Sequence, residues 1–305
     1  MIISASRRTD IPAFYTEWFL NRVREGCLFV RNPFNANQLT RVDLSPSNVE
    51  AIVFWTKNPA PILAHLNELD DRGYRYYFQF TLTAYPRSIE PFVPDEEKLL
   101  GTFRDLSARI GPERVVWRFD PVLISDITPE KVILGTFARL AGRLRGNTER
   151  VVVSFCRFYR TVKARLDRAG KETGVRFHDV SADSGRIRAI AKEMAVIAQS
   201  SSMEITSCAE KLDLAEFNIG RGKCIDDGLI KRIFGITVPP TKDPYQREEC
   251  RCVKSQDIGQ YDTCVHGCLY CYANPSKERA QRDMARHDPR SPYLIGRSVE
   301  RSYGS

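Results

Sequence analysis

The chain has 305 residues, 42% of them hydrophobic, 28% charged and 10% aromatic, and its 46 basic and 38 acidic residues give a formal charge of +8. That balance describes a folded globular chain of one barrel-sized domain or two smaller ones, and it excludes collagen-like and disordered classes. The uncharged apolar runs fall far short of the ~18 residues a membrane span needs. Arg7 and Arg8 follow the amino terminus before any long apolar stretch, unlike a secretory signal, so the expectation is a cytoplasmic protein without membrane association.

In chain order, six short runs rich in β-branched and aromatic residues predict buried strands: Ile2–Ser4, Ala51–Trp55, Arg75–Leu82, Arg114–Phe119, Val151–Phe155 and Met203–Thr206. Inside the first unit, Leu28–Arg31 and Gln38–Val42 flank Asn32-Pro33 and predict an inserted hairpin. Amphipathic helices separate the later strands. One apolar face carries Ile62, Leu66 and Leu69; the next carries Leu99, Phe103, Leu106 and Ile110; then come Ile133, Phe137, Leu140 and Leu144, and finally Ile187, Ile190, Met194 and Ile197. Thr128-Pro129-Glu130 predicts a cap and a first-turn proline for the third of these helices. Repeated βα units predict an α/β fold, a partial (β/α)6 barrel over residues 1–210 in preference to a doubly wound sheet. In either architecture a ligand lies beyond the carboxyl ends of the strands.

After Cys208 the rhythm changes: glycines punctuate the chain, Pro239-Pro240 interrupts it, and a cysteine-rich segment follows. Residues 211–305 therefore predict a cysteine-rich cluster-binding extension folded back over the barrel mouth. It ends in a polar tail whose last thirty residues hold seven basic and four acidic side chains.

Cysteines stand at 27, 156, 208, 224, 250, 252, 264, 268 and 271, five of them within twenty-two residues. A reducing compartment does not maintain a disulfide framework, so this clustering points to metal or redox chemistry. The C-x3-C-x2-C at Cys264, Cys268 and Cys271 suits a [4Fe-4S] cluster in which each thiolate holds one iron and the fourth iron stays open to a small molecule; ferredoxins close that position with a fourth cysteine. A zinc knuckle completed by Cys252 or His266 is the alternative, giving a zinc-stabilised binding protein without catalysis. Cys208, Cys224, Cys250 and Cys252 would supply four ligands for a second, auxiliary cluster, unless Cys208 and Cys224 are simply small buried residues. Cys27 and Cys156 lie in apolar strand patterns and read as core.

With Tyr270 in the aromatic place, the cysteine motif resembles the signature of the radical S-adenosylmethionine superfamily, and Tyr270-Cys271-Tyr272-Ala273 is similar to its spore photoproduct lyase-like members. One departure is informative. In most of that superfamily the cysteine loop follows the first barrel strand, whereas here Ser6-Arg7-Arg8-Thr9-Asp10-Ile11-Pro12 occupies that place. Together with Phe54-Trp55-Thr56-Lys57-Asn58-Pro59 and the approach Asp257-Ile258-Gly259 to Tyr261-Asp262-Thr263-Cys264, the arrangement resembles the family termed domain of unknown function 1848 over nearly the whole chain. The resemblance implies an oxygen-sensitive enzyme that cleaves S-adenosylmethionine reductively to a 5′-deoxyadenosyl radical. That radical takes hydrogen from a small-molecule or peptide substrate, with electrons from a donor such as flavodoxin or ferredoxin.

For such a cofactor, Arg118 or Lys57 is expected to pair with the carboxylate, Asp10, Asp120 or Glu210 to meet the ribose or amino group, and Tyr272 to lie beside the adenine. Barrel-mouth ion pairs and helix caps are the alternative roles for the same side chains. Adjacent Arg7 and Arg8 favour an anionic substrate. His266 is expected to shape the turn with Gly267, and Asp257 and Asp262 to order the approach through Asx-type hydrogen bonds. A nucleic-acid-acting enzyme is a second reading, resting on the charge and the lyase likeness without a recognised binding motif.

Overall fold

A computed structural model of the chain describes residues 1–33 and 35–296. Among these residues there are twelve strands: β1 Ile2–Ala5, β2 Cys27–Asn32, β3 Asn35–Asp43, β4 Ala51–Thr56, β5 Tyr76–Thr81, β6 Val115–Val122, β7 Ile124–Ser125, β8 Arg150–Phe155, β9 Phe177–His178, β10 Glu204–Ser207, β11 Gly220–Arg221 and β12 Gln256–Asp257. Eight form one sheet in the order β11-β10-β8-β6-β5-β4-β1-β12, with every pairing parallel. β2 and β3 make the antiparallel hairpin that the Asn32-Pro33 turn predicts, and β7 and β9 form a short antiparallel pair. The fold is thus α/β, built on an eight-stranded parallel sheet.

The six strands anticipated from their apolar runs stand side by side in chain order, with no reversal. Crossovers of one hand between successive neighbours put connecting helices on one face, and the helices Glu96–Ile110, Glu130–Leu144 and Ser184–Ser200 pack in one core. Alternation of side chains along each strand then assigns residues to the two faces. Ile3, Ile52, Phe54, Phe78, Phe80, Trp117, Phe119 and Val153 pack with the helices. Phe80 stacks on Phe103 of the helix Glu96–Ile110 at 4.9 Å, and Trp117 stacks on Phe137 of the helix Glu130–Leu144 at 5.0 Å. The indole NH of Trp117 donates to Leu82 O at 2.9 Å, so the largest ring of this core buries no unpaired polar atom.

The opposite face is covered by the cysteine-bearing extension. Ile2, Ala51, Val53, Tyr77, Val116 and Val152 pack there against Ile225, Leu229, Ile230, Val238 and Val253. The same extension adds a strand at each edge of the sheet, β11 beside β10 and β12 beside β1.

Several elements differ from expectation. The helices Thr16–Glu25, Arg160–Thr173, Asp227–Phe234 and Lys277–Ala285 were not among those predicted; Arg160–Thr173 buries only Val162 and Leu166 within a charged sequence, too sparse a stripe to read. Thr128 does not cap its helix, because its hydroxyl donates to Leu123 O at 2.9 Å and pairs with Ser125. The polar tail still packs in part against the fold up to residue 296. Tyr293, Leu294 and Ile295 are buried, and Trp18 Nε1 and Asn21 Nδ2 donate to Ser291 O and Pro289 O, each at 3.0 Å. Residues 297–305 of the predicted tail lie outside the described residues. Among the described residues, no helix is long and apolar enough to cross a membrane.

β12 is only two residues long, and one carboxylate secures it. Asp257 accepts from Ser4 Oγ at 2.7 Å and Arg7 N at 2.9 Å on Oδ2, and from Ser6 Oγ at 2.8 Å and Gly259 N at 2.9 Å on Oδ1. Gly259 passes so close to Ser6 that a Cβ would lie 2.0 Å from its Oγ, so no larger residue fits. Asp257→Ala would strip four donors of a charged acceptor; the expected loss is about 3 kcal/mol of unfolding free energy by urea denaturation. A loss below about 0.5 kcal/mol would mean that backbone pairing alone holds the edge strand.

Candidate metal centre

β12 leads directly into the loop that carries Cys264, Cys268 and Cys271, and that loop is tied down along its length. Asp262 N donates to Ala273 O at 3.1 Å and closes the base. Cys264 N donates to Asn274 Oδ1 at 2.8 Å, while Asn274 Nδ2 donates to Arg8 O at 3.2 Å and to Cys271 Sγ at 3.5 Å. Arg165 reaches from the helix Arg160–Thr173 to donate to Asn274 O at 2.6 Å and to Cys271 O. Tyr15 Oη donates to Thr263 O at 2.6 Å. On the far side Phe92 N donates to His266 O and Leu269 N to Ile89 O. Gly267 has φ of 72° and would bring a Cβ to 3.1 Å from both Pro91 and Phe92, so the turn requires glycine.

None of the nine cysteines is in a disulfide. Burial pushes the thiols of Cys264 and Cys268 up, with the charge of Lys57 opposing the shift at Cys268. Left alone, these desolvated sulfurs stay protonated; a cationic metal centre is the partner that makes thiolates of such a set.

A buried polar cluster backs the loop. Asp10 caps the helix Ile11–Phe14 through Ala13 N at 3.0 Å, accepts from Lys57 N at 2.7 Å, and lies 2.8 Å from His266 Nε2. His266 is buried with Nδ1 unpartnered, its ring 4.6 Å from that of Phe14. Through Asp10 it anchors the loop to the start of the helix Ile11–Phe14. Lys57 Nζ donates to Glu90 Oε1 at 2.8 Å and Thr83 Oγ1 at 3.3 Å, and Tyr270 Oη donates to the same Glu90 oxygen. Burial alone would lower the Lys57 pKa, but Glu90 and Cys268 outweigh it and hold the ammonium above its ordinary value.

Cys208, Cys224, Cys250 and Cys252 gather on the extension-covered face. Cys208 Sγ lies 3.4 Å from Cys224 Sγ, and Cys250 and Cys252 pack in the same buried cluster as Cys224. Cys252 Sγ also accepts from Cys224 N at 3.3 Å and Ile225 N at 3.4 Å. A polar ladder on the sheet positions Cys224: Tyr77 Oη and Gln79 Nε2 donate to its carbonyl at 2.6 and 3.0 Å, and Arg118 Nη1 donates to its sulfur at 2.8 Å. Hydrogen bonding from Cys224, aided by Arg118, pulls Cys208 down to about 7. Cys252 is lowered by its contacts with Cys224 and Cys250, and both of those thiols are raised in return. As they stand, no three His, Cys, Asp or Glu side chains among the described residues meet at one point ready to hold an ion.

Residues 2–273, from β1 through the cysteine loop, match the family described as Domain of unknown function (DUF1848). The chain belongs to this family. No curated protein and no solved structure matches it.

In this DUF1848 protein the residues proposed from sequence divide between the two cysteine groups. Asp10, Lys57 and Tyr270 lie with Cys264, Cys268 and Cys271. Arg118 and Asp120 form an ion pair at Cys224, and Asp120 also bonds Ser154. Arg7 lies over Trp55 at 5.1 Å, pairs with Asp243 at 3.7 Å and is within electrostatic reach of Cys252, Cys224 and Cys250. Arg8 lies over Tyr261 at 5.1 Å, and Glu210 pairs with Arg157 at 3.7 Å. Tyr272, 52% exposed, donates to Arg7 O at 3.1 Å. Cys156 is buried in the core, and Cys27 is half-buried in β2. Glu90, Gln79, Asn274 and Arg165 escaped the sequence reading, because nothing local marks them and each acquires its role from a partner distant in the chain.

Removing one partner of the Lys57–Glu90 pair leaves a buried charge alone. Lys57→Met should therefore lower stability by roughly 3–5 kcal/mol, and Lys57→Met with Glu90→Leu should recover most of it. Simple addition of the two single costs in denaturant unfolding would contradict the coupling. The raised Lys57 pKa makes this contribution complete below the ordinary lysine value of about 10.4, and it is lost only as pH rises through the higher folded value.

Proposed function

We propose that this protein is a radical S-adenosylmethionine enzyme in which Cys264, Cys268 and Cys271 hold a [4Fe-4S] cluster with one open iron, at the carboxyl end of a sheet that acts as a partial (β/α)6 barrel. The observation that carries this reading is the position of β12. The superfamily that the motif resembles delivers its cysteine loop from the first barrel strand. Here the last strand, β12, pairs parallel to β1 at the edge of the sheet and runs straight into the cysteines. The loop therefore leaves an edge strand next to the chain-ordered series, despite its late place in the sequence. The absence of any reversal in that series supports a barrel-type sheet over a doubly wound one.

The donor set fits the group. Three buried or half-buried thiols, free of disulfides, lie on one loop, and the remaining clustered cysteines are engaged with one another elsewhere. When bound, such a cluster supplies one electron that splits S-adenosylmethionine into methionine and a 5′-deoxyadenosyl radical able to take hydrogen from a substrate. The protein's own part is to hold and shield the site. Asn274 bridges the ends of the loop through Cys264 N and Cys271 Sγ, the Asp10–His266 contact fastens its middle, and Lys57 lowers the cost of thiolate at Cys268. Tyr270 turns inward to Glu90 and packs on Tyr85 at 5.9 Å, whereas Tyr272 stands at the rim with an open face suited to an adenine ring. The electron comes from an external donor of the flavodoxin or ferredoxin class.

Anaerobic reconstitution with iron and sulfide, followed by S-adenosylmethionine and dithionite, should yield 5′-deoxyadenosine by liquid chromatography and mass spectrometry. Replacing Cys264, Cys268 and Cys271 by Ala should abolish it. A colourless protein that takes up only zinc at this loop would instead establish a zinc-stabilised binding protein.

A further inference from the structure

Cys208, Cys224, Cys250 and Cys252 come from the end of β10, the turn after β11 and the segment before β12. Their spacing decides what they can hold. Around one tetrahedral ion with metal–sulfur bonds of ~2.3 Å, neighbouring sulfurs sit about 3.8 Å apart. On a [4Fe-4S] cube each thiolate rides on a different iron, and the sulfurs stand roughly 6 Å apart. The observed Cys208–Cys224 separation is 3.4 Å, Cys252 Sγ sits on the amides of Cys224 and Ile225, and Cys250 packs in the same buried cluster as Cys224 and Cys252.

We propose that these four cysteines form a structural site for a single zinc(II) ion, separate from the Cys264–Cys268–Cys271 loop, in place of the second cube that the cysteine count suggests. The four cysteines are gathered at one place in the fold, and the ion draws their sulfurs to a common centre. Four thiolates around a divalent ion carry a net charge of −2, and two guanidinium groups, shared with Asp120 and Asp243, face it. Arg118 donates to Cys224 Sγ at 2.8 Å, and Arg7 is in electrostatic reach of Cys252, Cys224 and Cys250. The amides of Cys224 and Ile225 point at Cys252 Sγ, the outer-sphere hydrogen bonding that metal-bound thiolates use. The ion staples the extension to the end of β10 and so closes the face of the sheet that the crossover helices leave bare.

The test uses the full chain with Cys264, Cys268 and Cys271 replaced by Ala, purified from medium containing both metals. Elemental analysis should find about one zinc and no acid-labile sulfide per chain. Cobalt(II) exchanged into the same protein should give the intense thiolate charge-transfer and visible bands of a tetrahedral CoS4 site, which keeps the test independent of ligand variants that fail to fold. Cys208→Ser with Cys252→Ser should remove both signals. About four irons with four sulfides on the triple variant would establish a second cube and overturn the proposal; so would a chain with neither zinc nor a cobalt–thiolate spectrum. In the unsubstituted chain, failure of S-adenosylmethionine cleavage with the zinc retained would count against the proposed enzyme and leave this site standing.

Discussion

The carboxylate of Asp257 joins the two ends of the chain. Its two oxygens take four hydrogen bonds, three from the segment Ser4–Arg7 and one from Gly259, across a separation of up to 253 residues. Closing so long a loop costs about 5 kcal/mol in chain entropy. A two-residue parallel pairing returns only ~0.5–1.5 kcal/mol per backbone bond, so charged hydrogen bonds and the apolar cover of the sheet must supply the rest. The position of the cysteine loop follows from this contact, because the loop begins where β12 ends and everything from Ile258 to Asn274 hangs from that edge.

A second constraint acts on the face opposite the helices. Parallel sheets need both faces covered, and here one cover is the extension, which brings thiols as well as apolar side chains against the sheet. The sheet meets it with Tyr77, Gln79 and Arg118, polar residues in positions that apolar ones hold in the rows below. Buried polar groups of this kind are stable only when fully paired, and each of these three finds its partner on Cys224. Arg118 and Arg7 are thereby committed to the thiol group and its neighbours Asp120 and Asp243. The positive charge at the strand ends, which in the sequence suggests an anionic substrate, is largely balanced within the protein.

How much of this was legible depends on whether the cause was local. Six buried strands, the hairpin and the long amphipathic helices announce themselves through alternation and three-to-four spacing. The cysteine motif is equally plain, and so is the local Asx-type bond from Gly259 to Asp257, but not the three bonds that Asp257 takes from Ser4, Ser6 and Arg7. β12 was not legible, because Gln256-Asp257 has no apolar residue and becomes a strand only through β1. The same holds for Thr128, whose capping signal lost to Leu123 O and Ser125, and for Glu90, which has meaning only beside Lys57 and Tyr270. Composition misread the tail, since Tyr293-Leu294-Ile295 packs despite its charged surroundings.

The account stands on two separate sulfur sites, one for a cluster at the sheet edge and one for a single ion beneath the extension. Anomalous diffraction at the iron edge, from crystals of the anaerobically reconstituted full chain, tests this most directly. The predicted result is one iron peak enclosed by Cys264, Cys268 and Cys271 and none among Cys208, Cys224, Cys250 and Cys252. Iron absent from the edge loop, or found only among the other four cysteines, would contradict it.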